Sequence, residues 1–292
     1  MACLNRRHTF AAALLGTLLT GLLVAPAALA DFWKPESGGS PNADRISTLY
    51  IIVFVIGAII FVGVEGVLLY TIVKFRARKG AVAAQIHGNT RLEISWTVGA
   101  AVILVILAVV TFVALPGIRD PENSDPAAAA FVAPVTKTGE KKIPPDGKAL
   151  NIIVTGQQYV WRFTYPDGDD NNQNNAFSYE QMVVPVGATV TLDIQSVDVA
   201  HSWWIPQLGG KMDAIPGYTN YTWFKVTKPG VYTGQCAELC GRNHANMVAQ
   251  VRAVPADEYQ SYIERLKTDI SAADQAAASS RKKLDADPQA TP

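Results

Sequence analysis

Gly234-Gln235-Cys236-Ala237-Glu238-Leu239-Cys240-Gly241-Arg242-Asn243-His244-Ala245-Asn246-Met247 sets two cysteines four residues apart, a histidine four beyond, and a methionine three beyond that. Thiolate, imidazole and thioether together form a donor set that soft copper prefers. A second histidine stands upstream, in Asp198-Val199-Ala200-His201-Ser202-Trp203. It is too distant for a helical pairing, so a fold has to bring it in. One ligand from an early strand and a cluster from a late loop is how a small β-barrel or sandwich holds a metal.

The competing reading is a disulfide, the ordinary state of a cysteine pair outside the cytoplasm. A lone histidine is more often structural, and a methionine alone fills a core. The conjunction Cys-x-Glu-x-Cys-x-x-x-His-x-x-Met, preceded by His-Ser-Trp, favours the metal. Cys3, Cys236 and Cys240 are the three cysteines of the 292-residue chain. There is no Cys-x-x-Cys-His, hence no c-type haem attachment. Twenty-five basic and 25 acidic side chains leave a formal charge of zero, which gives no basic face for nucleic acid.

Residues 1–30 read as a secretory signal, with Arg6 and Arg7, an apolar run from Phe10 to Val24, and Ala28-Leu29-Ala30 as the cleavage site. Residues 31–48 read as an external loop rich in Pro and Gly. A transmembrane helical hairpin is expected over 49–118, with spans at about 49–73 and 97–115, the second ended by Pro116-Gly117. Between the spans lie Lys74, Arg76, Arg78, Lys79 and Arg91 against the single acid Glu93. By the positive-inside rule this loop faces the cytoplasm of a bacterial cell, and the rest of the chain faces outside. Glu65 interrupts the first span; a protonated acid bonded to a neighbouring helix is the preferred reading.

Residues 119–147, rich in Pro, Ala, Asp and Lys, read as a linker without a packed core. Strand-like runs follow over Leu150–Tyr165, Gln181–Val184, Thr189–Ile194, Tyr221–Val226, Val231–Gly234 and Val248–Val254. Pro185-Val186-Gly187 and Lys228-Pro229-Gly230 supply turns. Short strands at even spacing predict a sandwich or barrel over 148–256. In 257–292 a helix is expected over Asp257–Ser271, with Tyr259, Tyr262, Ile263 and Leu266 on one face, and then a disordered tail.

With the hairpin before it, this ligand spacing resembles subunit II of the haem–copper cytochrome c oxidases and its binuclear CuA centre. The resemblance implies an all-β cupredoxin-like Greek-key barrel after the two-helix hairpin. It also implies that Cys236 and Cys240 bridge two copper ions, that His201 and His244 take one each, and that Met247 and the Glu238 main-chain oxygen are axial. The Glu238 carboxylate would reach a magnesium ion shared with subunit I. Electrons would come from a cytochrome c, soluble or membrane-tethered, and pass to subunit I, where oxygen is reduced with proton translocation. Membrane lipid would surround the hairpin.

Three further positions are carried by the same resemblance. Glu93, in Arg91-Leu92-Glu93-Ile94-Ser95-Trp96-Thr97, matches the entrance of a proton channel; an acid favourable to the helix dipole is the alternative. Asp198 matches a donor-docking acid, with Asp167-Gly168-Asp169-Asp170 a weaker candidate or a solvated turn. Lys211–Gly217 resembles a segment facing subunit I. The family's Gly-His-Gln-Trp-x-Trp becomes Gly156-Gln157-Gln158-Tyr159-Val160-Trp161, so Tyr159 and Trp161 mark the electron-accepting region, with Tyr159 in place of the first tryptophan. Among rivals, a quinol oxidase subunit would lack the ligands, and nitrous oxide reductase is a longer soluble chain without the two spans. A thioredoxin-like copper chaperone would leave Met247 without a role, and an interaction module would carry a disulfide.

Overall fold

A computed structural model describes residues 34–77, 80, 82, 84–166 and 175–286. The expected signal sequence and the Asp167–Asp170 turn lie outside the described residues.

Helices α1 (Pro41–Lys74) and α2 (Thr90–Arg119) form the hairpin. Their mean hydropathies reach 2.8 and 3.0, and both are long and apolar enough to cross a membrane. At 34 and 30 residues they exceed the ~20 needed for a bilayer core. The extra turns have other work. α1 begins at Pro41, inside the segment expected to be a loop, because proline suits the first helical position and Asn42, Ala43 and Ser47 bury against the barrel. Asn42 Nδ2 donates to Trp223 O at 2.8 Å, and Lys225 N donates to Ser40 Oγ at 3.0 Å. α2 runs through Pro116 rather than stopping there, and Asp120 N closes its end on Pro116 O at 2.8 Å. The Arg45 guanidinium bonds Gly117 O and Glu122 Oε1, joining the two helix ends. Glu65 is exposed and, among the described residues, bonds no group of α2.

Eleven strands among the described residues build the barrel. One sheet runs β4 (Ala176–Tyr179), β3 (Val160–Tyr165), β2 (Lys148–Gln157), β6 (Thr189–Ser196), β9 (Asn220–Lys225), with β1 (Ala133–Pro134) also on β2. The other runs β5 (Gln181–Pro185), β11 (Val248–Val254), β10 (Gly230–Cys236), β7 (His201–Trp204), β8 (Met212–Ala214). β2 lies parallel to β6 and β5 parallel to β11, the other pairs being antiparallel. These crossovers make the fold a cupredoxin-like Greek-key barrel. Ile152, Val154, Phe163, Leu192, Ile194 and Val251 alternate inward to fill the space between the sheets.

Two expectations at the edges fail. The supposed linker is strapped to the barrel: it contains β1 and a 3-10 turn over Pro126–Phe131, and it buries Ala128 and Lys141. Lys141 Nζ reaches Asp193 Oδ1 at 2.5 Å and Asn151 Oδ1 at 2.7 Å, partners a composition reading cannot see. Helix α3 (Ala256–Ala286) continues well past Ser271, since its Ala-rich second half is itself a good helix former. Tyr262, Ile263, Leu266 and Ile270 pack its first half on the core.

Candidate metal centre

β10 and β11 are antiparallel neighbours, so the loop between Cys236 and Val248 must fold back over one end of the barrel. Cys236 N donates to Met247 O at 2.9 Å and closes it. β7 lies beside β10, with Trp203 opposite Cys236. That register delivers His201, the first residue of β7, to the same end. β8, in the Lys211–Gly217 segment, pairs Ala214 with His201 and so backs the ligand strand.

His201, Cys236 and Cys240 present donor atoms all within 4.8 Å of one another, and all three side chains are buried. Cys236 Sγ lies 3.8 Å from His201 Nδ1 and 3.9 Å from Cys240 Sγ. Cys240 Sγ lies 3.6 Å from His244 Nδ1 and 3.8 Å from Met247 Sδ. Glu238 O stands 3.2 Å from Cys236 Sγ. His244 is presented by a 3-10 turn over His244–Asn246 and is only half-buried. Both cysteines are free, so the disulfide reading fails here. Burial, together with the neighbouring Cys236 thiol, pushes the Cys240 thiol up to about 11. A metal therefore has to displace its proton. The soft sulfur and imidazole donors, converging in a buried space, fit copper.

The surroundings orient the ligands. Asp198 Oδ1 holds His201 Nε2 at 2.9 Å, which makes that nitrogen the proton carrier and leaves Nδ1 aimed at the sulfurs. Asp198 also accepts Gln158 N at 2.7 Å and Val199 N at 2.6 Å. Burial raises its carboxyl, but these bonds and His201 outweigh that and bring it to about 2. Asp198, expected as a docking acid, thus also ties Gln158, Val199 and His201 together. Gly156 lies beneath the imidazole: a Cβ there would sit 3.0 Å from His201 Cδ2 and 3.1 Å from Trp161 Cζ3.

Trp161 is 0% exposed, its ring edge-on to His201 at 5.8 Å, so it is no surface for a donor. Tyr159 is half-buried, and its hydroxyl lies against Gly241, where an added Cβ would be 2.6 Å away. Gly241 holds φ +129°, a conformation that favours glycine. Glu238 is exposed, and among the described residues its carboxylate joins no metal-holding group. Glu93 sits far from this centre, in the first turn of α2. There Asn89 Oδ1 accepts Leu92 N at 3.2 Å and Glu93 Oε1 accepts Asn89 N at 3.3 Å, a reciprocal cap. Sequence reasoning passed over Gly156 and Gln158; their place beside Tyr159 in the Gly-Gln-Gln-Tyr stretch was the available signal.

Comparison with known proteins places these features in a family. The model for "Cytochrome C oxidase subunit II, periplasmic domain" matches residues 150–254, and that for its transmembrane domain matches residues 33–114. Cytochrome c oxidase subunit 2 of Alkalihalophilus pseudofirmus is 35% identical over 79% of this chain, which spans 61% of that relative's length. The Cereibacter sphaeroides protein of the same name is 30% identical over 89% of this chain and 93% of its own. The solved periplasmic domain of subunit II from Bradyrhizobium japonicum is 36% identical, covering 41% of this chain and 94% of that one, with a TM-score of 0.38.

Proposed function

The chain belongs to the cytochrome c oxidase subunit II family, and from that premise we propose that its barrel is the electron-accepting unit of a respiratory haem–copper oxidase. The observation that carries this reading is the convergence of His201, Cys236 and Cys240 within 4.8 Å, with His244 and Met247 against Cys240. Held there by His201, Cys236, Cys240, His244, Met247 and the Glu238 main-chain oxygen, copper would supply a one-electron carrier.

The residues' own work follows from their placement. His201 is held as the Nε2–H tautomer by Asp198, so Nδ1 keeps its lone pair for a metal. His244 offers Nδ1 from the more exposed side. Trp161 and Gly156 wall His201 from behind, and Met247, fully buried, closes the floor. A barrel packed on every side resists the ligand movement that would slow electron transfer. Tyr159, half-buried with its hydroxyl against Gly241 of the loop, is the proposed point of contact for a cytochrome c. Onward transfer to subunit I, oxygen reduction there and proton translocation complete the proposal, with Glu93 at a proton entrance and Glu238 reaching a magnesium ion shared with subunit I. The basic loop between the helices supports a cytoplasmic turn and a barrel on the outer face.

The test uses the full chain in detergent, loaded with copper. A mixed-valence paramagnetic spectrum is expected, lost or remodelled in Cys236→Ser and His244→Ala while circular dichroism still reports the barrel. Identical spectra in both variants would refute the assignment. Mixing the wild type with soluble cytochrome c at rising ionic strength then identifies the donor. Fast transfer that weakens with salt means a mobile donor, and slow transfer means a tethered one.

A further inference from the structure

We infer that Gln158 is a positioning residue that locks the two ligand-bearing segments of the metal centre against each other; this rests on the copper reading above. His201 arrives on β7, at the end of a hydrogen-bonded ladder. Cys236 also sits on a ladder, paired with Trp203. Cys240 does not: it lies in the loop, between exposed Leu239 and exposed Gly241.

Gln158, in the turn between β2 and β3, joins these parts. Its side-chain Nε2 donates to Cys240 O at 2.6 Å, and its backbone N donates to Asp198 Oδ2 at 2.7 Å. Asp198 in turn holds His201 at 2.9 Å. The start of the loop is fastened separately, by Ala237 N donating to Ser202 O at 2.8 Å and by Cys236 Sγ at 3.2 Å from Glu238 O, whereas Gln158 holds the loop at Cys240 from the β2–β3 side. Gly241 permits the approach, since a Cβ at that position would stand 2.9 Å from Gln158 Nε2. One glutamine thus joins the carboxylate that holds the imidazole on β7 to the backbone of the loop thiol. Contacts of this kind orient metal ligands and commonly change affinity 10–100-fold when removed.

The test compares the full chain carrying Gln158→Ala, Gln158→Glu or Gln157→Ala, the last an exposed neighbour with no bond to the loop. Without metal, alkylation of Cys240 followed by mass spectrometry is expected to run about fivefold faster in both Gln158 variants, the effect of losing one hydrogen bond. With copper, loss of metal to a chelator is expected to accelerate about 10–100-fold, with altered copper hyperfine splitting. Gln158→Glu, equal in length, decides the matter if the alanine variant melts early. Wild-type behaviour in both measurements, or the same change in Gln157→Ala, would overturn the inference. If the wild type takes up no copper, the copper reading fails, and the alkylation rates still decide whether Gln158 fastens the loop.

Discussion

Ile59, Phe61, Phe112 and Val113 on the hairpin are 63–78% exposed, whereas Ile152, Phe163, Leu192 and Ile194 in the barrel are fully buried. The same residue types stand in opposite places because the two regions are written for different solvents. A lone hairpin has no interior to fill, and its apolar faces suit hydrocarbon or a partner helix. The barrel is surrounded by water, so its apolar faces must meet each other. Lys141 enters it paired with Asp193 and Asn151, whereas the indole nitrogens of Trp161 and Trp203 are buried there without a hydrogen-bond partner among the described residues.

Truncating a large side chain separates the regions most strongly. Phe163→Ala should cost the barrel about 4 kcal/mol in chemical denaturation, while Phe112→Ala leaves the same transition unmoved. Equal losses from both would erase the distinction between the two regions. Asp193→Ala should follow at about 3 kcal/mol, because it leaves the Lys141 ammonium buried without its counter-charge. Replacing Asp120, whose pairing with Lys142 at 3.4 Å is exposed, should cost under ~0.5 kcal/mol. A similar cost for both acids would mean that Lys141 finds water.

Gly156→Ala is expected to cost about 1.5 kcal/mol, since neither His201 nor buried Trp161 has room to yield. It should also shift the copper spectrum, a change that destabilisation elsewhere in the barrel would not produce. Asn89→Ala follows, at about 1 kcal/mol of helix stability. Hydrogen exchange should rise in the first turn of α2 and stay constant in the barrel; a barrel response would show the two regions to be coupled through α2.

Much of this was legible in the chain. Apolar runs long enough to span a bilayer reveal the hairpin, because the requirement is local and one-dimensional. Strand-length runs with Gly/Pro turns show most of the barrel, and the interval from Cys236 to Met247 is short enough for spacing alone to suggest a shared metal. β1, β4 and β8 escaped notice, being short runs whose stability comes from their neighbours. So did the second half of α3, where composition suggests disorder and helix propensity prevails.

What the sequence determined by itself was the set of groups and their order: two spans, a barrel, and five sulfur and nitrogen donors in two segments. Only the tertiary structure decided that Trp161 is walled in behind His201 and that Asp198 serves the imidazole. It alone decided that α1 starts early enough to dock Asn42 on Trp223, and that Gln158 reaches Cys240 across 82 positions of sequence. Periodicity and spacing report forces between near neighbours. Hydrogen bonds between distant segments form only after the sheets have packed, and their partners cannot be read from either segment alone.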